Sequence, residues 1–157
     1  MRKQIIPPTQ LETASPDADW LNLETLVDVE ITSEDAFYPI ESALLPGRTS
    51  GWRAAGSGQQ TIRFLFTHPK RIKRIELYFV ETHVERTQEF TLRWSQDISQ
   101  LPQELVRQQW NFSPEGATSE LEEFIVDLPE VSVLELIITP DISGGGALAS
   151  LQRLRLA

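Results

Sequence analysis

Cysteine is absent from the 157 residues. No disulfide stiffens the fold, and no thiolate is available as nucleophile or metal ligand. There are only two histidines, His68 and His83, so imidazole acid–base chemistry has little to work with. Cations are scarce as well: 14 Lys and Arg stand against 23 Asp and Glu, a formal charge of −9. A phosphate backbone or an anionic bilayer needs clustered cations to neutralise it. Nucleic acid and membrane are therefore not expected partners. The one basic cluster, "HPKRIKR" at 68–74, lacks interleaved aromatics and reads as a solvated turn. No apolar run reaches the length of a membrane span. The start, Met1 to Pro8, has too short an apolar part for a signal peptide, so the expectation is a cytoplasmic protein. Phosphate-cradling glycine loops, a nucleophile elbow and zinc-ligand spacings are all missing. The expectation is no enzyme, no cofactor and no bound metal; a carboxylate pair assembled in space is the one catalytic device the residue order leaves open.

What the chain does have is alternation. Apolar residues make up 40%, enough for a core, and the length suits one domain. After residue 22 the pattern has period two, the mark of half-buried strands. Val27, Val29 and Ile31 alternate with polar neighbours; so do Ile62, Phe64 and Phe66, then Ile75, Leu77 and Phe79, then Phe90, Leu92 and Trp94. Val106, Trp110 and Phe112 form a weaker set that carries Gln108, a polar residue out of place on an aromatic face. Phe124 to Leu128, Leu134 to Ile138, and Leu154 with Leu156 complete about eight strands. The ten prolines are read as lying at strand ends, as ladder hydrogen bonding requires. Residues 17–25 and 40–45 have room for a helical turn or two. Short strands separated by turn signals predict an all-β, antiparallel sandwich over 23–157. Residues 1–22 are predicted to form an arm packed on that domain, pinned by Trp20, Leu21 and Leu23.

The order of segments carries a resemblance. "LVDVEITSE", "YPIESALLPGRTSGWRA" and "QQTIRFLFTHPKRIKRIEL" resemble the opening of a discoidin domain, a member of the galactose-binding-like superfamily. "RTQEFTLRWSQD", "FIVDLPEVSVLELIITPD" and "ALASLQRLRLA" are similar to its central, late and closing strands. The resemblance spans roughly 25–157. It implies a jelly-roll β-sandwich with a ligand site on loops at one end, in a module that binds sugars, lipid head groups or proteins. Many sugar-binding members hold a structural calcium, with an Asp before the tryptophan and a Glu in the last strand among its ligands. Here the loop reads Leu44-Leu45-Pro46-Gly47-Arg48 and the last strand offers Arg153. Calcium requires oxygens, preferably carboxylates, so none is expected at that place.

Three loops carry the candidate ligand residues. In "GWRAAGSG" Trp52 either plugs the sandwich or lines a site, and Arg53 offers a planar fork of donors to a ligand oxygen. "ETHVERTQEF" supplies His83 and Arg86, as ligand contacts or as members of salt bridges. "SEDAFYPIE" joins the acceptors Glu34 and Asp35 to Phe37 and Tyr38, a mixture suited to sugar hydroxyls and ring faces. These loops are expected to meet, with Arg53 and Arg86 lining one pocket together with Glu34, Asp35 or Glu41. Two functions follow. The first is non-enzymatic carbohydrate recognition through these loops; the second is a protein–protein interaction module in an intracellular assembly.

Overall fold

A computed structural model describes residues 20–157; most of the predicted arm, residues 1–19, lies outside the described residues. Among the described residues two short helices and eight strands follow one another: α1 (Leu23–Leu26), β1 (Val27–Ile31), α2 (Glu41–Leu44), β2 (Trp52–Ser57), β3 (Gln60–Val80), β4 (Arg86–Ser95), β5 (Gln103–Phe112), β6 (Ser119–Thr139), β7 (Leu148–Leu151) and β8 (Arg153–Leu156). All strand pairs are antiparallel. No helix among the described residues is long and apolar enough to cross a membrane.

The alternating segments at 62–66 and 75–79, separate strands in the sequence reading, are two halves of one long strand, β3. Likewise 124–128 and 134–138 are halves of β6. The two long strands pair from end to end, with register shifts between Leu65 and Arg74. Pro69 and Pro129 fall in this irregular stretch, where a missing N–H breaks no regular ladder bond. Both prolines thus lie inside strands rather than at their ends, and "HPKRIKR" is a bend within β3 rather than a free turn. Beside Pro129, Glu130 takes a positive φ of 50°.

The bend folds the ladder over on itself. The first half of β3 and the last part of β6 form one layer, in the order β1-β3-β6-β4-β5. The second half of β3 and the first part of β6 form the opposite layer, where β8 pairs with β3 through Ile75 to Tyr78. Side chains of period two fill the space between. Ile62, Phe64, Leu92 and Leu136 from one layer, and Ile75, Leu77, Phe79 and Leu154 from the other, are fully buried. Phe79 stacks on Phe90 across the layers with ring centroids 5.4 Å apart. Each such burial contributes about 1.5–3 kcal/mol. β2 and β7 make a small separate ladder. At the chain's described start, Leu21 N–H donates to Leu156 O at 2.7 Å, and the Arg74 guanidinium lies 4.2 Å over the Trp20 ring.

One end of the five-stranded layer gathers the predicted loops. β1 ends there at Ile31, opposite Ile62 near the start of β3. Gln60 faces Ile138, which faces Phe90. Arg86 at the start of β4 faces Phe112 at the end of β5.

Candidate functional site

The loop end divides into two clusters. The first lies beside β1. Gly51 has φ +72°, and a Cβ there would stand 2.9 Å from Leu151 O. Only glycine fits this turn. It directs Trp52 inward, where the ring is 1% exposed and its indole N–H donates to Ser33 O at 3.0 Å. The next residue faces the other way. The Arg53 guanidinium stacks 4.5 Å over the Tyr38 ring and is exposed. Arg53 O accepts from Asp35 N–H at 2.8 Å, and Arg53 N–H donates to Tyr38 O at 3.2 Å. Asp35 Oδ1 accepts from Phe37 N–H at 2.8 Å, which leaves the Phe37 ring 85% exposed. Glu34 Oε2 is taken by Ile40 N–H at 2.8 Å.

The second cluster lies at β4 and β5. Arg86 has no exposed side-chain surface. Its Nε donates to Glu81 Oε1 at 2.9 Å, and its Nη1 donates to Gln88 Oε1 at 3.1 Å and Pro140 O at 2.8 Å. The guanidinium also lies 4.9 Å from the Phe112 ring centroid. Burial pushes the Glu81 carboxyl up, but the bonds from Arg86 and from the His83 N–H outweigh it, and the group titrates below its ordinary range. His83 is exposed on this loop.

The shared pocket expected from the sequence does not form. β1 and β4 are three strand spacings apart, about 14 Å. Arg86 turns into the sandwich and its charge is answered by Glu81, not by Glu34, Asp35 or Glu41. Trp52 is a core residue and Arg86 a framework residue, so neither presents its side chain at the surface. Asp35, Tyr38 and Arg53 do come together, as one surface cluster.

A concavity of about 380 Å³ lies above Arg86, which lines it together with Phe112; the sequence reading named Arg86 as a candidate but none of the polar residues around it. Its wall includes Glu85, Thr87, Asn111, Ser113, Asp141 and Ser143. Thr87 Oγ1 donates to Asn111 Oδ1 at 2.6 Å, across the β4–β5 ladder. That bond fixes the carboxamide and leaves its two N–H donors uncommitted. Ser143 donates to Asp141 Oδ1 from Oγ at 2.7 Å and from N at 3.1 Å. These bonds hold the Asp141 carboxyl below its ordinary range, and the Arg86 charge adds to the effect. The one available signal was the Asp-x-Ser turn in "TPDISGGG"; Asn111 gave none, because its partner is 24 residues away.

The residues present do not fit a calcium ion between the loop before Trp52 and the last strand. Arg155 Nη1 donates to Ala43 O and Leu44 O, both at 3.2 Å, and to Leu154 O at 3.0 Å. A fixed positive charge on these carbonyls repels a cation. Arg153, the residue singled out from the sequence, is bound instead to Glu76 at 2.9 Å. Among the described residues no three His, Asp or Glu side chains converge as metal ligands would.

No protein-family model matches the chain, and no curated protein does. Solved structures do. The family 32 carbohydrate-binding module of AlyQ, in complex with 4,5-unsaturated mannuronic acid, superposes with a TM-score of 0.60 at 19% identity, over 84% of this chain and 95% of that one. The family 32 module of NanJ from C. perfringens, in complex with galactose, gives 0.58 at 16%, over 83% and 92%. A Ruminococcus gnavus GH29 fucosidase in complex with fucose gives 0.60 at 10%, over 87% of this chain but only 26% of the enzyme. At these identities the likeness establishes the fold: the chain is a galactose-binding-like antiparallel β-sandwich of the kind found in discoidin domains and family 32 modules.

Proposed function

We propose that this chain is a non-enzymatic carbohydrate-binding module whose sugar site is the concavity above Arg86. One observation carries the reading. The wall combines pinned donors on Asn111 with a pinned acceptor on Asp141, and hydroxyls of Ser113 and Ser143 stand beside them. A sugar hydroxyl both donates and accepts, so it is matched by such donor–acceptor pairs held in place before binding. The sugars bound in two of the similar structures, one of them galactose, support carbohydrate as the class of ligand and not its charge.

Arg53, Tyr38 and Asp35 form a flanking subsite, with Phe37 as a stacking surface for a second ring. His83 stands in the exposed loop that leads into Arg86. Glu85 and Asp141 leave the wall acidic, because the charge of the one lining cation, Arg86, is answered by Glu81; this favours neutral or amino sugars over uronic acids.

A glycan array followed by calorimetry on the sugars retained tests the proposal. Asn111→Ala and Asp141→Ala should each weaken binding by about 1–3 kcal/mol, the cost of leaving a polar partner unpaired, while a cooperative melt shows that each variant is still folded at the assay temperature. Undiminished binding by both variants, or selective retention of uronic acids, would overturn it.

A further inference from the structure

A further concavity among the described residues lies elsewhere, along the flank where β1 forms the edge of the five-stranded layer. It has a volume of about 460 Å³ and runs between β1 and the two helices. Its floor is apolar: Leu23, Val27, Val29, Ile31 and Leu44 line it. Its rim is acidic, with Glu24, Asp28, Glu34 and Glu41 against a single cation, Arg48. Glu24, Asp28 and Glu41 are exposed, and none of their carboxylates meets a cation among the described residues.

Among the described residues the edge itself is open, and β1 pairs with β3 alone. Thr32 N–H donates to Thr61 O at 3.1 Å. In an antiparallel ladder, hydrogen-bonded pairs alternate. The bonds to β3 therefore fall on Glu30 and Asp28, and Val29 and Ile31 aim their N–H and C=O groups away from the sheet. Those groups have no backbone partner among the described residues. An unpaired edge of this kind is a template for another strand.

We propose that this flank is a docking groove for an extended segment of a partner protein, alternating apolar with basic residues, that adds as a strand to β1. The period of a strand makes the match. Apolar side chains of the segment fall on the same side as Val27, Val29 and Ile31 and enter the groove. Those between them face outward beside Asp28, while Glu24 and Glu41 close the groove from the helix side. Four carboxylates to one guanidinium select lysine or arginine at those positions and reject acidic segments. This surface is separate from the sugar site and serves a different class of ligand.

The test uses the full chain and a short synthetic peptide of alternating lysine and valine, with a glutamate–valine peptide as control. The lysine peptide should bind saturably and weaken with added salt. Its amide shift changes should be confined to residues 23–31 and 40–48. The double variant Glu24→Lys/Asp28→Lys should weaken it by at least about tenfold; its thermal melt, expected to match the unaltered chain, checks folding. Salt-dependent binding of the unaltered chain keeps the test valid if that variant melts early. Equal binding of the glutamate peptide, or shifts at another edge strand such as β5, would overturn the proposal. Residues 2–6, Arg-Lys-Gln-Ile-Ile, also join cations to apolar residues, though without the probe's alternation. Tighter probe binding by Arg2→Glu/Lys3→Glu would assign the groove to the chain's own start and overturn the partner reading.

Discussion

Arg86 and Glu81 form an ion pair at 2.9 Å that closes the loop between β3 and β4, with the guanidinium wholly buried. The consequence is opposite to that of an exposed ligand arginine. Arg86→Ala should strip Glu81 of its partner, free Pro140 O and open a cavity under Phe112. Removing one member of a buried pair costs about 3–5 kcal/mol, and urea unfolding should show it. Because the Glu81 carboxyl titrates low, its contribution is present above the ordinary value of 4.5 and is lost as pH falls through the lower folded value. An Arg86→Ala variant of unchanged midpoint would contradict this account.

Arg53 should behave in the reverse manner. Its side chain is exposed over Tyr38, an arrangement contributing about 0.5–1 kcal/mol. Arg53→Ala should therefore leave folding nearly intact while reducing affinity for sugars long enough to reach the flanking subsite. Comparing mono- and oligosaccharides by calorimetry separates the two effects; an equal loss for both would remove Arg53 from a flanking role.

Glu120 gives the fold a pH dependence of its own. It is 1% exposed, and Gln108 Nε2 donates to it at 3.2 Å and to Glu122 as well. Burial, together with the charge and hydrogen bond of Glu122, pushes its pKa up from 4.5 to about 7. The folded chain then holds a proton that the unfolded chain releases above 4.5. Stability should fall as pH rises from about 4.5 to about 7, by on the order of 3 kcal/mol, and remain lower above that. Glu120→Gln, which mimics the protonated acid, should flatten the profile. A slope unchanged in that variant would place the titrating group elsewhere.

Arg155 ties α2 to β8 through carbonyls of Ala43 and Leu44. Arg155→Met keeps the stem and removes the donors, and should lower stability by about 1–3 kcal/mol. Added calcium should leave the melting temperature of the unaltered chain where it was, since mass action raises it only for a folded state that binds the ion. An EDTA-reversible rise would show that the guanidinium yields to calcium.

Period-two alternation located the segments of β1, β3, β4, β5, β6 and β8, because a side chain's face in a strand depends only on its own position; the short β2 and β7 carry too little alternation to be read that way. The sandwich class was legible for this reason, and the helical turns near 23–26 and 41–44 fell where the alternation lapses; the burial of Trp52, one of two open readings, was decided by the fold. Gln108 was legible as an anomaly, yet its carboxyl partners were not, since Glu120 and Glu122 reach it across the flank from the opposite layer. The continuity of β3 and β6 through their prolines was hidden too, because a bent ladder and a turn between two strands share one local pattern. The roles of the two arginines were decided by tertiary structure alone. Arg53 and Arg86 are alike in the sequence, each polar and beside a turn. One meets a tyrosine at the surface, whereas the other meets Glu81 and the Pro140 carbonyl inside. Whether a charge faces water or a buried partner depends on which distant strands close over it, and that is settled only when the layers pack.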